Sequence, residues 1–202
     1  MNLAIANDWM HKNPFAGIRF QEKEVIREVL TKEEIERMMC KEFALPRLEY
    51  VRDVFIFCVF TGMAYVDVNN LRQEHIVRDN NDDLWIRKAR QKTNNMCNIP
   101  LLKIPQLLME KFKNHPLCTK TGALLPVPSN QKMNSYLKEI ADFCGIQKNL
   151  TTHTARHTFA TVVALANGVS MENIAKMLGH SDIRMTQRYA KVMDSSIMRD
   201  ME

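Results

Sequence analysis

Residues 47–62 read RLEYVRDVFIFCVFTG, a segment of helical length with apolar side chains on nearly every side of a helical wheel. Such a helix has no face to give to water, so the rest of the chain must fold around it. Gly62 supplies the stop, because glycine takes the left-handed turn that ends helices without a steric penalty. A membrane-spanning reading fails on length. The longest unbroken apolar run, VFIFCVF at 54–60, is far short of the roughly 20 residues a bilayer needs. A chain of 202 residues, 46% hydrophobic and 25% charged, can surround that helix within one large domain, or one domain with a fragment attached.

The flanking segments supply the surround. LTKEEIERMM at 30–39 sets Thr31 and Glu34 at capping-box spacing and opens a helix. From 75 to 102, HIVRDNNDDLWIRKARQKTNNMCNIPLL alternates in places around two turn clusters, NNDD and NN. This predicts a small antiparallel three-stranded sheet. Helices return at PQLLMEKFKNH, with Pro105 in the first turn, and at SNQKMNSYLKEIADFCG, which ends at Gly145. TTHTARHTFATVVALANG and SMENIAKMLG stop at Gly168 and Gly179. The expected class is α+β, mainly helical, with the sheet on one flank. Asn13-Pro14 breaks a short N-terminal helix, FAGIRF (15–20) reads as an extended linker, and 195–202 as a loose tail. The start MNLAIANDWMHKNPF lacks the basic and apolar regions of a secretory signal. Five cysteines without paired spacing, with Cys58 and Cys144 inside apolar patterns, predict buried thiols in a reducing cytoplasm.

A net charge of +5 and a pI near 9.0 are compatible with a polyanionic partner. The cations cluster at WIRKARQK (85–92) and around Tyr189, where Arg184, Arg188 and Lys191 stand. HTARH places His153, Arg156 and His157 at i, i+3 and i+4, on one face of a helix's first turn. There the free N–H groups, an imidazole and a guanidinium make a phosphate site. A metal reading of the two histidines lacks the glutamate of H-E-x-x-H and a third ligand. LGH at 178–180 turns His180 sharply out of a helix end, and Ser181 or Asp182 can cap the next helix, which carries Tyr189. The same corner could be a helix-turn-helix with RMTQRY as the recognition helix of a non-catalytic regulator.

TGMAYVDV, RQKT, HTARHTFAT and LGHSDIRMTQRYAKV, in this order and spacing, resemble the catalytic domain of the tyrosine recombinases, the phage-integrase family. They are most similar to integrases of conjugative transposons and related bacterial mobile elements. The resemblance divides the chain into 1–27, the end of a core-binding domain with its linker, 28–192, the catalytic domain, and 193–202, a C-terminal tail. It implies a bacterial, cytoplasmic and nucleoid-associated enzyme acting on double-stranded DNA as a tetramer when full length, and a monomer as this fragment. Tyr189 is then the nucleophile that joins a DNA 3′-phosphate, and no cofactor or metal is required. Its place in a polar, basic helix rather than an apolar pattern agrees. The resemblance makes His153 the base or proton relay, Arg156 and His180 ligands of the phosphate, and Lys92 the acid for the leaving 5′-oxygen. Arg90, Lys88, His157 and Arg188 are expected to contact DNA. A topoisomerase of similar chemistry and a catalytically inactive DNA-binding relative remain as alternatives. One departure matters. Where the family's T-G-x-R carries an arginine, this chain has Ala64. Loss of one such donor typically costs about 3–4 kcal/mol in the transition state. Arg90, two residues before Lys92 in the expected strand and so on its face, is the expected substitute, ahead of Lys88 further up the strand and Arg87 of the wrong parity.

Overall fold

The computed structural model describes residues 1–18 and 28–190. Its helices are α1 (Asn2–Ala6), α2 (Lys32–Cys40), α3 (Pro46–Thr61), α4 (Tyr65–Asn69), α5 (Lys103–Phe112), α6 (Pro116–Thr121), α7 (Asn130–Phe143), α8 (Thr152–Thr158), α9 (Met171–Leu178) and α10 (Arg184–Ala190). Strands β1 (Ile76–Arg78), β2 (Leu84–Ala89) and β3 (Met96–Pro100) form an antiparallel sheet in that order. Register runs Ile76 against Ile86 and Ile86 against Ile99.

Helix α3 is the centre. It packs against α2, α5, α7 and α8, with Val54, Phe55, Phe57 and Cys58 fully buried. Each such large side chain contributes about 1.5–3 kcal/mol on leaving water. Its two buried charges tie neighbours to it. Arg52 donates to Asp53 (2.5 Å) and to the carbonyls of Met38, Met39 and Lys41 at the end of α2. Lys111 of α5 reaches Asp53 (2.7 Å) and Glu49 (2.5 Å). Gly62 ends the helix at φ 67°.

The capping box of α2 forms as its spacing demands: Glu34 N–H donates to Thr31 Oγ1 and Thr31 N–H to Glu34 Oε2. The turns of the sheet put Asp82 and Asn94 at positive φ, where their side chains tolerate the left-handed region. Burial pushes the Cys58 thiol up to about 12, and Cys144 is buried too. Among the described residues no helix is long and apolar enough to cross a membrane.

Three expectations are corrected. Residues 15–18 form a turn, not an extended linker: Phe15 N–H bonds to Asn13 Oδ1 and Ile18 N–H to Phe15 O. The helix expected over 151–168 is not uniform. After α8 it widens into a π-helical stretch, Phe159–Ala164, and tightens into a 3₁₀ turn at Leu165–Asn167. Thr158 and Thr161 donate back to the carbonyls of Thr154 and His157, which loosens the regular ladder. Finally, β2 ends at Ala89, so Lys92 lies in a turn and not on a strand. The tail, with Lys191, lies outside the described residues.

Candidate functional site

Two glycine corners and one guanidinium build the site. Gly62 closes α3 and Gly179 closes α9, at φ 67° and 61°. Both are packed too closely for a side chain. A Cβ on Gly62 would stand 2.4 Å from Phe159 Cδ1, and one on Gly179 would stand 2.7 Å from Cys97 Sγ. Arg156, from α8, reaches between the corners and donates Nη1 to Gly62 O (2.6 Å) and Nη2 to Leu178 O (2.5 Å). It is 5% exposed. Burial lowers its pKa first, then the positive charge of Arg90. Tyr189, Cys97 and Asp67 pull the other way.

The β2–β3 turn is fastened to the second corner. Arg90 N–H bonds to Asn95 O and Asn94 N–H to Arg90 O, closing a tight loop. Asn95 Nδ2 donates to Gly179 O (3.3 Å). Asp67, buried in α4, accepts from Gln91 N–H (2.9 Å) and holds the loop from the other side. Lys92 is thereby presented, exposed, at the turn's tip. Asp67 went unnoticed in the sequence. The signal was an acid inside the apolar pattern of AYVDV, where burial demands a donor.

His180 leaves the Gly179 corner half-buried, with Nδ1 2.7 Å from the fully buried Thr186 Oγ1. Burial lowers its pKa to about 4, helped by Arg156, Arg90 and His157. At neutral pH the ring is therefore uncharged. Asp182 caps the following turn, its Oδ1 accepting from Arg184 N–H (2.8 Å). Tyr189 closes the group, its ring 5.2 Å from that of His157 and stacked at 6.3 Å on that of His180.

The polar pattern of RMTQRY misled in one respect. Tyr189 is 7% exposed, because Thr186 and Tyr189, three apart on α10, turn inward together while Arg188 faces water. The first turn of α8 is not evenly open to solvent. Thr151 and Thr154 cap the start of α8 reciprocally, and the three basic residues lie at different depths. His153 is exposed, His157 half-buried and Arg156 buried. Lys88 brings its Nζ to 3.3 Å from His75 Nε2.

The phage integrase family model matches residues 28–196. This chain belongs to the phage integrase family. Similar curated proteins are tyrosine recombinases XerD. That of Staphylococcus saprophyticus is 40% identical over 95 residues, 47% of this chain and 31% of that protein. That of Staphylococcus aureus is 42% identical over the same extent, 47% and 31%. The matched segment thus spans less than a third of these relatives' length. Among solved structures, a lambda integrase dimer bound to a COC′ core site gives a TM-score of 0.70 at 19% identity, covering 93% of this chain and 68% of that one. The Tn1549 transposon integrase in complex with circular intermediate DNA gives 0.71 at 17% identity, covering 100% and 74%. At these identities the likeness is one of fold, a mainly helical recombinase catalytic domain with a small flanking sheet.

Proposed function

We propose that residues 28–192 are the catalytic domain of a site-specific DNA recombinase that cleaves and rejoins strands through Tyr189. The observation that carries this reading is a phenol packed against His157 and His180 beside the buried cation of Arg156. A phenol of ordinary pKa near 10 needs a proton acceptor and a positive field to attack at neutral pH.

In this reading the Tyr189 oxygen attacks phosphorus, and its proton passes to His153 at the rim. The bond to the 5′-oxygen breaks as Lys92 delivers a proton there. Arg156 and the uncharged His180 stabilise the pentavalent phosphate. When Thr186 donates to His180 Nδ1, Nε2 keeps its hydrogen and can donate to the phosphate. The phosphotyrosine linkage retains the energy of the bond it replaced, so rejoining is the same step reversed with a new 5′-hydroxyl, and no nucleotide cofactor is consumed. Lys88, His157 and Arg188 contact the DNA around it.

Residues 1–27 belong to a core-binding domain and linker, and the enzyme acts as a tetramer on bacterial nucleoid DNA. An apolar groove lined by Ile35, Met39, Phe60, Leu102, Val162 and Met177 supports multimer formation, since it suits the apolar side chains of a neighbouring copy's tail. The test is a nicked suicide duplex, on which the wild type is expected to form a covalent adduct. Tyr189→Phe, which removes one oxygen, binds DNA and forms none. An adduct of normal yield in that variant overturns the assignment.

A further inference from the structure

The family's first arginine is missing at Ala64, which here is the N-cap of α4 with φ −76° and ψ 157° and has no side-chain donor for a phosphate. The vacancy narrows to one candidate. Arg52 is committed to Asp53 and three carbonyls, and Arg72 to the carbonyls of Asn69 and Leu71. Arg78 and Arg87 are exposed on the sheet. Arg90 is different. Its Nε is buried and has no hydrogen-bond partner, one of two such side-chain atoms among the described residues. A buried donor left unpaired costs about 1–3 kcal/mol, more when charged, and calls for an explanation.

Its position supplies one. Arg90 ends the β2 side of the hairpin, and its Cβ lies 3.6 Å from where a Cβ on Gly179 would stand. With Met63, Asp67, Lys88 and Arg156 it lines one small cavity between the two glycine corners. Arg90 and Arg156 thus share a wall. Among the described residues no carboxylate lies within salt-bridge distance of either, and Asp67 spends one oxygen on Gln91 N–H. After burial, the charge of Arg90 is the next cause that lowers the pKa of Arg156, and it adds to burial and Arg156 in lowering that of His180. Like charges kept together in a half-buried site with an unpaired donor have the make-up of an anion site.

We propose that Arg90 is a catalytic residue that brings a second guanidinium to the scissile phosphate beside Arg156, from the hairpin rather than from the position of Ala64. The inference rests on the recombinase reading above. It does not rest on strand parity with Lys92, which the turn removes. A guanidinium presenting Nε with one Nη grips two oxygens in a fork, a geometry an ammonium cannot copy.

The test compares the chain carrying Arg90→Met, Arg90→Lys and Arg90→Met/Ala64→Arg with the wild type. Methionine keeps the aliphatic stem that packs on Gly179 and removes only the charged head. In single-turnover cleavage of the suicide duplex at saturating protein, Arg90→Met is expected to slow adduct formation a hundredfold or more with little change in binding. Arg90→Lys recovers part of that rate, and the double variant recovers some of it. Near-normal cleavage by Arg90→Met overturns the proposal while leaving Tyr189 untouched. A DNA-free readout decides independently. With repulsion and the idle donor gone, Arg90→Met should melt at a higher temperature than the wild type and lose most of the stabilisation the wild type gains from inorganic phosphate. A lower melting temperature, or an undiminished phosphate effect, assigns Arg90 a structural role and overturns the proposal. If the wild type itself forms no adduct, the recombinase reading has failed, and these melts still decide whether Arg90 holds an anion.

Discussion

At the scale of single residues, Arg156 holds the fold and, in the proposed function, also meets the phosphate. Its two Nη groups satisfy the carbonyls of Gly62 and Leu178, so it ties the end of α3 to the end of α9. Arg156→Lys keeps a charge but can reach only one of these acceptors well, leaving a buried carbonyl unpaired at about 1–3 kcal/mol. The expected outcome is a lower melting temperature together with lost cleavage. A variant that melts like the wild type argues against the tie. His180 gives a pH signature. Its folded pKa, about 4, lies below the 6.5 of a free histidine, so the unfolded chain binds more protons between these values. Its stabilising contribution is complete above about pH 6.5 and is lost as pH falls toward 4. Melting temperature should therefore fall across that window, and His180→Gln should flatten the fall. An unchanged profile in that variant shows that another group is responsible.

At the scale of elements, the glycine corners decide where the side chains of the proposed site go. Gly179→Ala meets two penalties: a positive φ, worth about 1–2 kcal/mol for a residue with a Cβ, and contact with Cys97 Sγ. Cys97→Ala removes the second only. The pair should show a coupling of about 0.5 kcal/mol or more in denaturant unfolding, and strict additivity would mean the corner is looser than it looks. Much of this level was legible in the sequence. Helix starts at Thr31 and Ser129, stops at Gly62 and Gly179, and a three-stranded sheet are local chemistry, and local chemistry can be read from order alone. The short helix α6 was missed although Pro116 opens it and Gly122 closes it, the usual punctuation. What was not legible depends on contacts across the chain. The hairpin ends β2 at Ala89 because Asp67 and Gly179 clasp its turn, and neither partner is near it in sequence. The inward turn of Tyr189 was hidden for the same reason: the surface it meets comes from α8 and the corner at His180.

For the whole molecule, the net charge of +5 matters only where cations are free to meet phosphate. Arg184 is taken by Asp182 at 2.7 Å, and Arg47 by Glu139 at 3.2 Å. Lys92 at the hairpin tip and Arg188 beside Tyr189 are both exposed and, among the described residues, outside any salt bridge. Few such contacts mean weak, mostly sequence-independent DNA binding, because each neutralised phosphate adds about 0.9 to the slope of log affinity against log salt. Lys92→Ala and Arg188→Ala should each lower that slope by about 0.9, and the double variant by about 1.8, whatever the DNA sequence. Arg47→Ala, a charge already paired and set away from the corners, should leave the slope unchanged. The measurement is a titration by fluorescence anisotropy over a range of salt, with light scattering to test the expectation that the free protein is a monomer. A slope that responds to Arg47 as strongly as to Arg188 would mean that DNA meets the protein on a different face.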